Sequence, residues 1–246
     1  MNNNITDWND YYNKKYKKIN KEELENDNLY EKTMDNHHIN QRNNIILSIG
    51  PSGSGKTTGI VDFIIRTKDK KNEIPFYTIT YFTASTSDEG LIKLLRELIP
   101  SIIVIDEVED LPRLENVKKD NTYNKNLKNI IIFDDIANLN KKQKDIINNW
   151  SNSGRKLFSH LVFIAQNVID VPTTIRRNAN YIFLYKSNEL STVKYVLKKY
   201  NIYNIDEDQL FEWYKEATQE KGQMLLLDLT VGSKYKIRHN FLDVLY

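Results

Sequence analysis

Asn44-Ile-Ile-Leu-Ser-Ile-Gly50-Pro-Ser-Gly-Ser-Gly55-Lys56-Thr57-Thr58 is the stretch that decides how this chain is read. Apolar and small residues lead into Gly-x-x-x-x-Gly-Lys-Thr, and Gly59-Ile-Val-Asp-Phe-Ile-Ile65 follows. The pattern predicts a buried strand, a glycine-rich turn and the start of an amphipathic helix, the setting that a phosphate-binding loop requires. Gly50, Gly53 and Gly55 suit positive φ and let backbone close around an anion where a Cβ would clash. Successive N–H groups then face the phosphate oxygens, helped by the positive end of the helix. Lys56 is expected to reach the β- and γ-phosphates of ATP, and the Thr57 hydroxyl to ligate Mg²⁺. The binding residues expected are Gly50, Gly53, Ser54, Gly55, Lys56, Thr57 and Thr58.

Working outward, 246 residues suffice for one sizeable α/β domain with short appendages. The chain has no cysteine, which excludes disulfides and thiolate metal sites and fits a reducing, intracellular setting. A net charge of +2 is nearly balanced, so any nucleic-acid surface must be local. No apolar run approaches the roughly 18 residues of a membrane helix. The Met-Asn-Asn-Asn start lacks the apolar core of a signal peptide.

Residues 1–43 are polar with scattered aromatics and no sustained helical period, and read as an arm. His37-His38 lacks a third ligand at usable spacing and reads as a solvated pair. From 44 to 246 strand and helix patterns alternate, the signature of an α/β domain with a mostly parallel sheet and helices on both faces. Strands are expected near 75–81, 102–105, 130–133, 160–165, 181–185, 223–229 and 234–240. Helices are expected near 57–67, 139–151, 188–200 and 206–218, with another from Ser87 on whose apolar face is Leu91, Leu94, Leu95 and Leu98. A helical turn is expected at 173–177, and 108–128 reads as an irregular surface loop.

A P-loop ATPase needs a second strand ending in a carboxylate for the metal, beside an acid that orients the attacking water. Two strands qualify: Ile102-Ile-Val-Ile105 ending in Asp106-Glu107, and Ile130-Ile-Ile-Phe133 ending in Asp134-Asp135. Hydrophobicity does not separate them, but order does. After Asp134-Asp135 come a helix, an arginine and a strand ending in Gln166, which supplies a polar γ-phosphate sensor. After Asp106-Glu107 the next strand ends in two aspartates, which repel a phosphate. The reading therefore favours Asp134 for Mg²⁺ and Asp135 for the water. Gln166 is a candidate sensor, with a loop-satisfying glutamine as the plain alternative. Arg155 is a candidate arginine finger offered to a neighbour's ATP, and Arg176-Arg177 offer a second such role, set against ordinary surface arginines.

Four blocks, Ile49–Thr57, Ile130–Ile136, Ser153-Gly-Arg155 with His160–Gln166, and Thr174–Asn178 ahead of Tyr181–Tyr185, together resemble the FtsK/HerA superfamily of DNA-pumping ATPases. They are most similar to the genome-packaging ATPases of poxviruses, other large DNA viruses and virophages. The resemblance covers about 44–200. It implies a RecA-like core, a homo-oligomeric ring, arginine fingers that complete neighbouring sites and double-stranded DNA threaded through the pore. It also supports Asp-Asp as the metal and water pair, where cellular relatives usually carry Asp-Glu. Capsid portal or vertex proteins are implied partners, and the host cytoplasm or the virion the implied location.

Sequence-blind phosphate contacts would come from lysine and arginine clusters. Candidates are Lys118-Lys119 with Lys125 and Lys128, then Lys141-Lys142-Lys144, then Lys234, Lys236 and Arg238, each more often a solvated face. Two other classes stay open: a helicase or helicase loader, and a nucleotide-gated assembly factor with little turnover.

Overall fold

The computed structural model describes residues 43–67, 76–83, 89–99, 102–111, 113–114, 116, 128–134, 136–137, 139–154, 159–201, 204–230, 236–241 and 243–246. All of the expected arm except Asn43 lies outside them, as do Ser87-Asp88, Lys118, Lys119, Lys125 and Lys234.

The run Ile-Ile-Leu-Ser-Ile forms strand β1 (Ile45–Ile49), buried at every position. A strand read as continuously apolar is one covered on both faces, and alternation assigns its side chains. Ile45, Leu47 and Ile49 enter one core, and Ile46 enters another. Helix α1 (Lys56–Arg66) presents Ile60, Val61, Phe63 and Ile64 to the second core. Its polar side is tied by an Arg66–Asp62 ion pair at 2.8 Å, one helical turn apart.

Strand β2 (Phe76–Thr83), helix α2 (Glu89–Leu98) and strand β3 (Ile102–Ile105) follow, then strand β4 (Lys128–Asp134). Helix α3 (Lys141–Ser153) begins at a capping box, with Asn140 and Gln143 each bonding the other's backbone N–H. Strand β5 (Ser159–Ala165), the short helix α4 (Thr173–Arg177) and strand β6 (Tyr181–Tyr185) complete the parallel part. Helix α5 (Leu190–Lys199) and helix α6 (Glu207–Ala217) follow, the latter capped by the Asp206 carboxylate. They lead to β7 (Met224–Asp228), β8 (Ile237–His239) and β9 (Asp243–Val244).

The strands form one sheet in the order β3-β2-β4-β5-β1-β6-β7-β8-β9. Pairing is parallel from β3 to β6 and antiparallel from β6 to β9. Buried residues of α1 and α2 share one core, and those of α3 to α6 share the other, so helices cover both faces. This is the mostly parallel α/β architecture expected from the alternating pattern.

The tail departs from expectation. Of the strand expected near 234–240, Ile237–His239 forms β8, Asn240 turns with φ of +52° instead of continuing it, and a further short strand, β9, follows. Asparagine tolerates that left-handed conformation, and its side chain accepts the Met224 N–H at 3.1 Å, anchoring the turn to β7. A strand of two residues carries no alternation that periodicity could detect.

Candidate functional site

β5 lies between β1 and β4, so the glycine-loop strand and an acidic strand are next-but-one neighbours. At the usual strand spacing they run about 10 Å apart. Register sets Ile49 opposite Ala165 and Asp134 opposite Ile164, which brings the loop and the carboxylate out at one edge of the sheet. That is the carboxyl edge, where open parallel sheets build ligand sites.

The loop is shaped by its glycines in two different ways. Gly53 and Gly55 take φ of +71° and +103°, conformations that other L-residues rarely adopt. Gly50, expected to serve in the same way, has no positive φ. It is needed for space, because a Cβ there would stand 2.8 Å from both Ser54 Oγ and Tyr185 Cβ. A Cβ on Gly53 would have no described atom within 4 Å, so among the described residues this part of the cradle is open backbone. A Cβ on Gly55 would lie 2.7 Å from Gly222 Cα. Gly222, just before β7, donates its N–H to the Ser54 carbonyl at 3.1 Å. This brace from the antiparallel part carries no sequence motif and is missed by sequence reasoning.

Lys56 Nζ donates to the Pro51 carbonyl at 2.8 Å and so spans the loop from its far side. Partial burial holds the ammonium's pKa below its ordinary value, while the negative charge of Asp134 pulls it back up. Asp134 Oδ2 accepts a 2.6 Å hydrogen bond from the Tyr81 hydroxyl and stands 3.5 Å from Thr57 Oγ1. Loop lysine, helix hydroxyl and strand carboxylate are thus gathered in one place. Tyr81 is 2% exposed, on β2. Only the pairing of β2 with β4 brings it here, so the linear sequence carries no signal for it.

The residues present fit a magnesium nucleotide. Bare amide backbone at the head of an eleven-residue helix suits an anion. A hydroxyl and a carboxylate are the hard oxygen ligands Mg²⁺ takes, with phosphate oxygens and water filling the remaining positions. Among the described residues no group of three or more His, Cys, Asp or Glu side chains is arranged to hold a metal by itself.

Asp106 and Glu107 stand elsewhere. They follow β3 at the edge of the sheet, with β2, β4 and β5 between them and β1. Both are exposed, and Glu107 occupies the N-cap of the 3-10 turn Val108–Asp110 without a side-chain cap bond. Asp135 and Arg155 lie outside the described residues. Gln166 follows the last residue of β5 and is exposed, one residue beyond the point where Gly50 N–H bonds the Ala165 carbonyl at 3.2 Å.

The two neighbouring arginines of α4 differ. Arg176 is engaged within the chain, bonding the Val171 carbonyl at 2.8 Å, Thr173 Oγ1 at 3.0 Å and the Tyr195 hydroxyl at 3.3 Å. Arg177 is exposed and makes no side-chain hydrogen bond or ion pair with any described residue. Of the basic clusters, Lys141 and Lys142 are exposed at the start of α3, and Lys144 bonds the Ala137 carbonyl. Arg238 corrects an expectation: it is 1% exposed and bonds the Phe241 carbonyl, so it cannot lie on a DNA-facing surface.

The family model for the poxvirus A32 protein matches residues 31–243. No curated protein matches the sequence significantly. Among solved structures, the DNA-packaging ATPase B204 from Sulfolobus Turreted Icosahedral Virus is similar, with a TM-score of 0.50 and 19% identity. The likeness covers 79% of this chain and 96% of that one. The genome packaging NTPase B204 from Sulfolobus turreted icosahedral virus 2, in complex with AMPPCP, gives 0.53 at 16% identity over 79% and 96%. EssC (ATPases 2 and 3) from Geobacillus thermodenitrificans gives 0.54 at 14% identity over 76% of this chain and 37% of that one. At these identities the likeness establishes the fold, that of the P-loop ATPases.

Proposed function

This chain belongs to the poxvirus A32 protein family, and so to the viral genome-packaging NTPases, and on that premise we propose that it is an ATP-driven motor that moves double-stranded DNA into a preformed capsid. The observation that carries the reading is the meeting of Lys56, Thr57 and Asp134 across the intervening β5. In this reading the backbone from Gly50 to Thr58 holds the triphosphate, and Lys56 exchanges the Pro51 carbonyl for β- and γ-phosphate oxygens. Thr57 and Asp134 would hold Mg²⁺, which when bound would supply positive charge against that building on the phosphates. Asp135 orients and deprotonates the attacking water, and Gln166 senses the γ-phosphate from the neighbouring strand.

Arg155 and Arg177 complete the site of the next subunit in a homo-oligomeric ring. Exposure and the lack of a side-chain partner among the described residues suit Arg177 to that task, whereas Arg176 is committed to holding α4 against α5. The exposed Lys141 and Lys142 are available for phosphate contacts with DNA. The motor works in the host cytoplasm and docks on capsid vertex proteins.

One set of assays tests this: ATPase rate with and without duplex DNA, at low and high salt, for wild type, Arg155→Ala and Arg177→Ala. DNA is expected to raise the rate, salt to remove the stimulation, and each arginine variant to bind ATP while turning over at least about a hundredfold more slowly. Unwinding of a forked duplex would assign the chain to the helicases. Tight ATP binding with negligible turnover, indifferent to both arginines, would make it an assembly factor.

A further inference from the structure

We propose that Tyr81 is a positioning residue for the metal-loaded nucleotide: its hydroxyl holds the Asp134 carboxylate facing Thr57. The inference rests on the reading of Asp134 as the metal-side carboxylate. Tyr81 stands on β2 opposite Ile132 of β4, two residues before Asp134. Its ring is buried in the core that seats α1, together with Ile60, Ile64 and Ile132. From there the hydroxyl donates to Asp134 Oδ2 at 2.6 Å, the same oxygen that stands 3.5 Å from Thr57 Oγ1. A hydrogen bond to an ionised carboxylate is among the stronger kinds.

The chemistry explains why a phenol suits the place. Rotation about the last torsion of an aspartate is loosely restrained, so a carboxylate at a strand end does not fix its own orientation. A lysine or arginine could fix it, but its positive charge would compete with the cation for the same oxygens. The neutral hydroxyl orients the carboxylate and leaves its charge available. Its ring is 2% exposed within the buried core, which restrains it from swinging out. Partners of this kind around metal ligands typically account for about 10–100-fold in metal affinity.

The test uses the full chain, the fluorescent analogue mant-ATP and Mg²⁺ as probes. Tyr81→Phe keeps the ring and removes only the hydroxyl. Its affinity for mant-ATP in EDTA should match wild type, while the Mg²⁺ concentration that half-saturates the magnesium-dependent signal rises about 10–100-fold. Asp134→Asn, measured in parallel, should abolish the magnesium-dependent signal. An unchanged Mg²⁺ requirement in Tyr81→Phe beside a lost one in Asp134→Asn overturns the positioning role and leaves the site reading standing. An unchanged requirement in Asp134→Asn removes the site reading and the proposal with it. Equal losses with and without metal would make Tyr81 structural and would also overturn it. Should Tyr81→Phe fold poorly, 3-fluorotyrosine at position 81 keeps the hydroxyl in place. Its ¹⁹F resonance should shift with Mg²⁺ and mant-ATP but not with mant-ATP in EDTA, and a resonance blind to the metal refutes the proposal.

Discussion

β3 and β4 carry almost the same sequence and flank the same strand. The sequences are Ile102-Ile-Val-Ile-Asp-Glu107 and Ile130-Ile-Ile-Phe-Asp-Asp135, and the strands within them, β3 and β4, both pair in parallel with β2. Ile79 meets Ile102 on one side and Ile130 on the other, and Phe82 meets Ile105 and Phe133. Asp106 and Asp134 therefore stand one residue past matching positions. Yet Asp106 is exposed at the sheet edge, while Asp134 shares its oxygen with Tyr81 and faces Thr57. The chemistry written into the two strands is the same. What separates them is which side of β2 each occupies, and hence whether β5 and β1 lie next in line.

The sharpest way to break this contrast is to neutralise each acid. Asp134→Asn should reduce Mg²⁺-dependent ATP hydrolysis by at least about a hundredfold, the scale of losing a preorganised group at a reacting phosphate. Asp106→Asn should leave the rate within about twofold of wild type, as an exposed side chain away from the loop would. Steady-state ATPase assays decide, and the reverse ranking would move the metal site to β3. Asp134→Asn also removes the charge that supports the Lys56 ammonium, so the Lys56 pKa should fall further from its ordinary value.

Next in size is the loop that only the β4 acid reaches. Gly55→Ala would force a side chain into φ of +103° and to within 2.7 Å of Gly222. The left-handed conformation costs about 1–2 kcal/mol and the overpacking about 1–3 kcal/mol. Chemical denaturation should show the loss of stability, and mant-ATP titration should show weakened nucleotide binding.

A smaller effect tests how α1 seats Thr57 against Asp134. A Cβ on Gly59 would approach the Tyr185 hydroxyl to 1.9 Å, and that side chain is fully buried. Burial also drives the Tyr185 phenol's pKa upward. Gly59→Ala gains about 1 kcal/mol of helix propensity but meets overpacking of about 1–3 kcal/mol, so the net effect is destabilising. Tyr185→Phe frees the space, and the double variant should recover a large part of the lost Tm.

The smallest difference concerns the strands themselves. Ile103 and Ile131 flank Thr80 at equivalent positions, but Ile103 is 49% exposed and Ile131 is 2% exposed. Ile131→Val should cost about 0.5–1.5 kcal/mol, and Ile103→Val should stay within about 0.5 kcal/mol of zero. Equal costs by chemical denaturation would mean that β3 is covered as deeply as β4.

Much of the molecule was legible because it is local. The Gly50–Thr58 loop follows an apolar strand and precedes an apolar helical stripe, so strand, turn and helix could each be read without knowledge of their neighbours. The helix Thr173–Arg177 and the strand Tyr181–Tyr185 stand where the local pattern places them, for the same reason. Asp134 could be nominated from motif order, since chemistry constrains which residues can come after the metal strand. Features that pairing alone determines were illegible. Tyr81 lies 53 residues from Asp134, and Gly222 lies 168 residues from Ser54. Neither belongs to a spacing rule, because sheet register and loop docking decide their neighbours. Arg238 looked like one more surface cation until β8 folded it inside.

By itself, then, the sequence determined the phosphate loop, the alternating α/β pattern and a short set of acids and arginines. Those arise from backbone sterics, periodic hydrophobicity and the charge a triphosphate needs, all of which act over a few residues. Motif order nominated Asp134, but tertiary structure alone decided which tyrosine holds that acid, which arginine of the pair is spoken for and what braces the loop. Those depend on strand order, which long-range packing of two cores sets and which no stretch of the chain encodes locally.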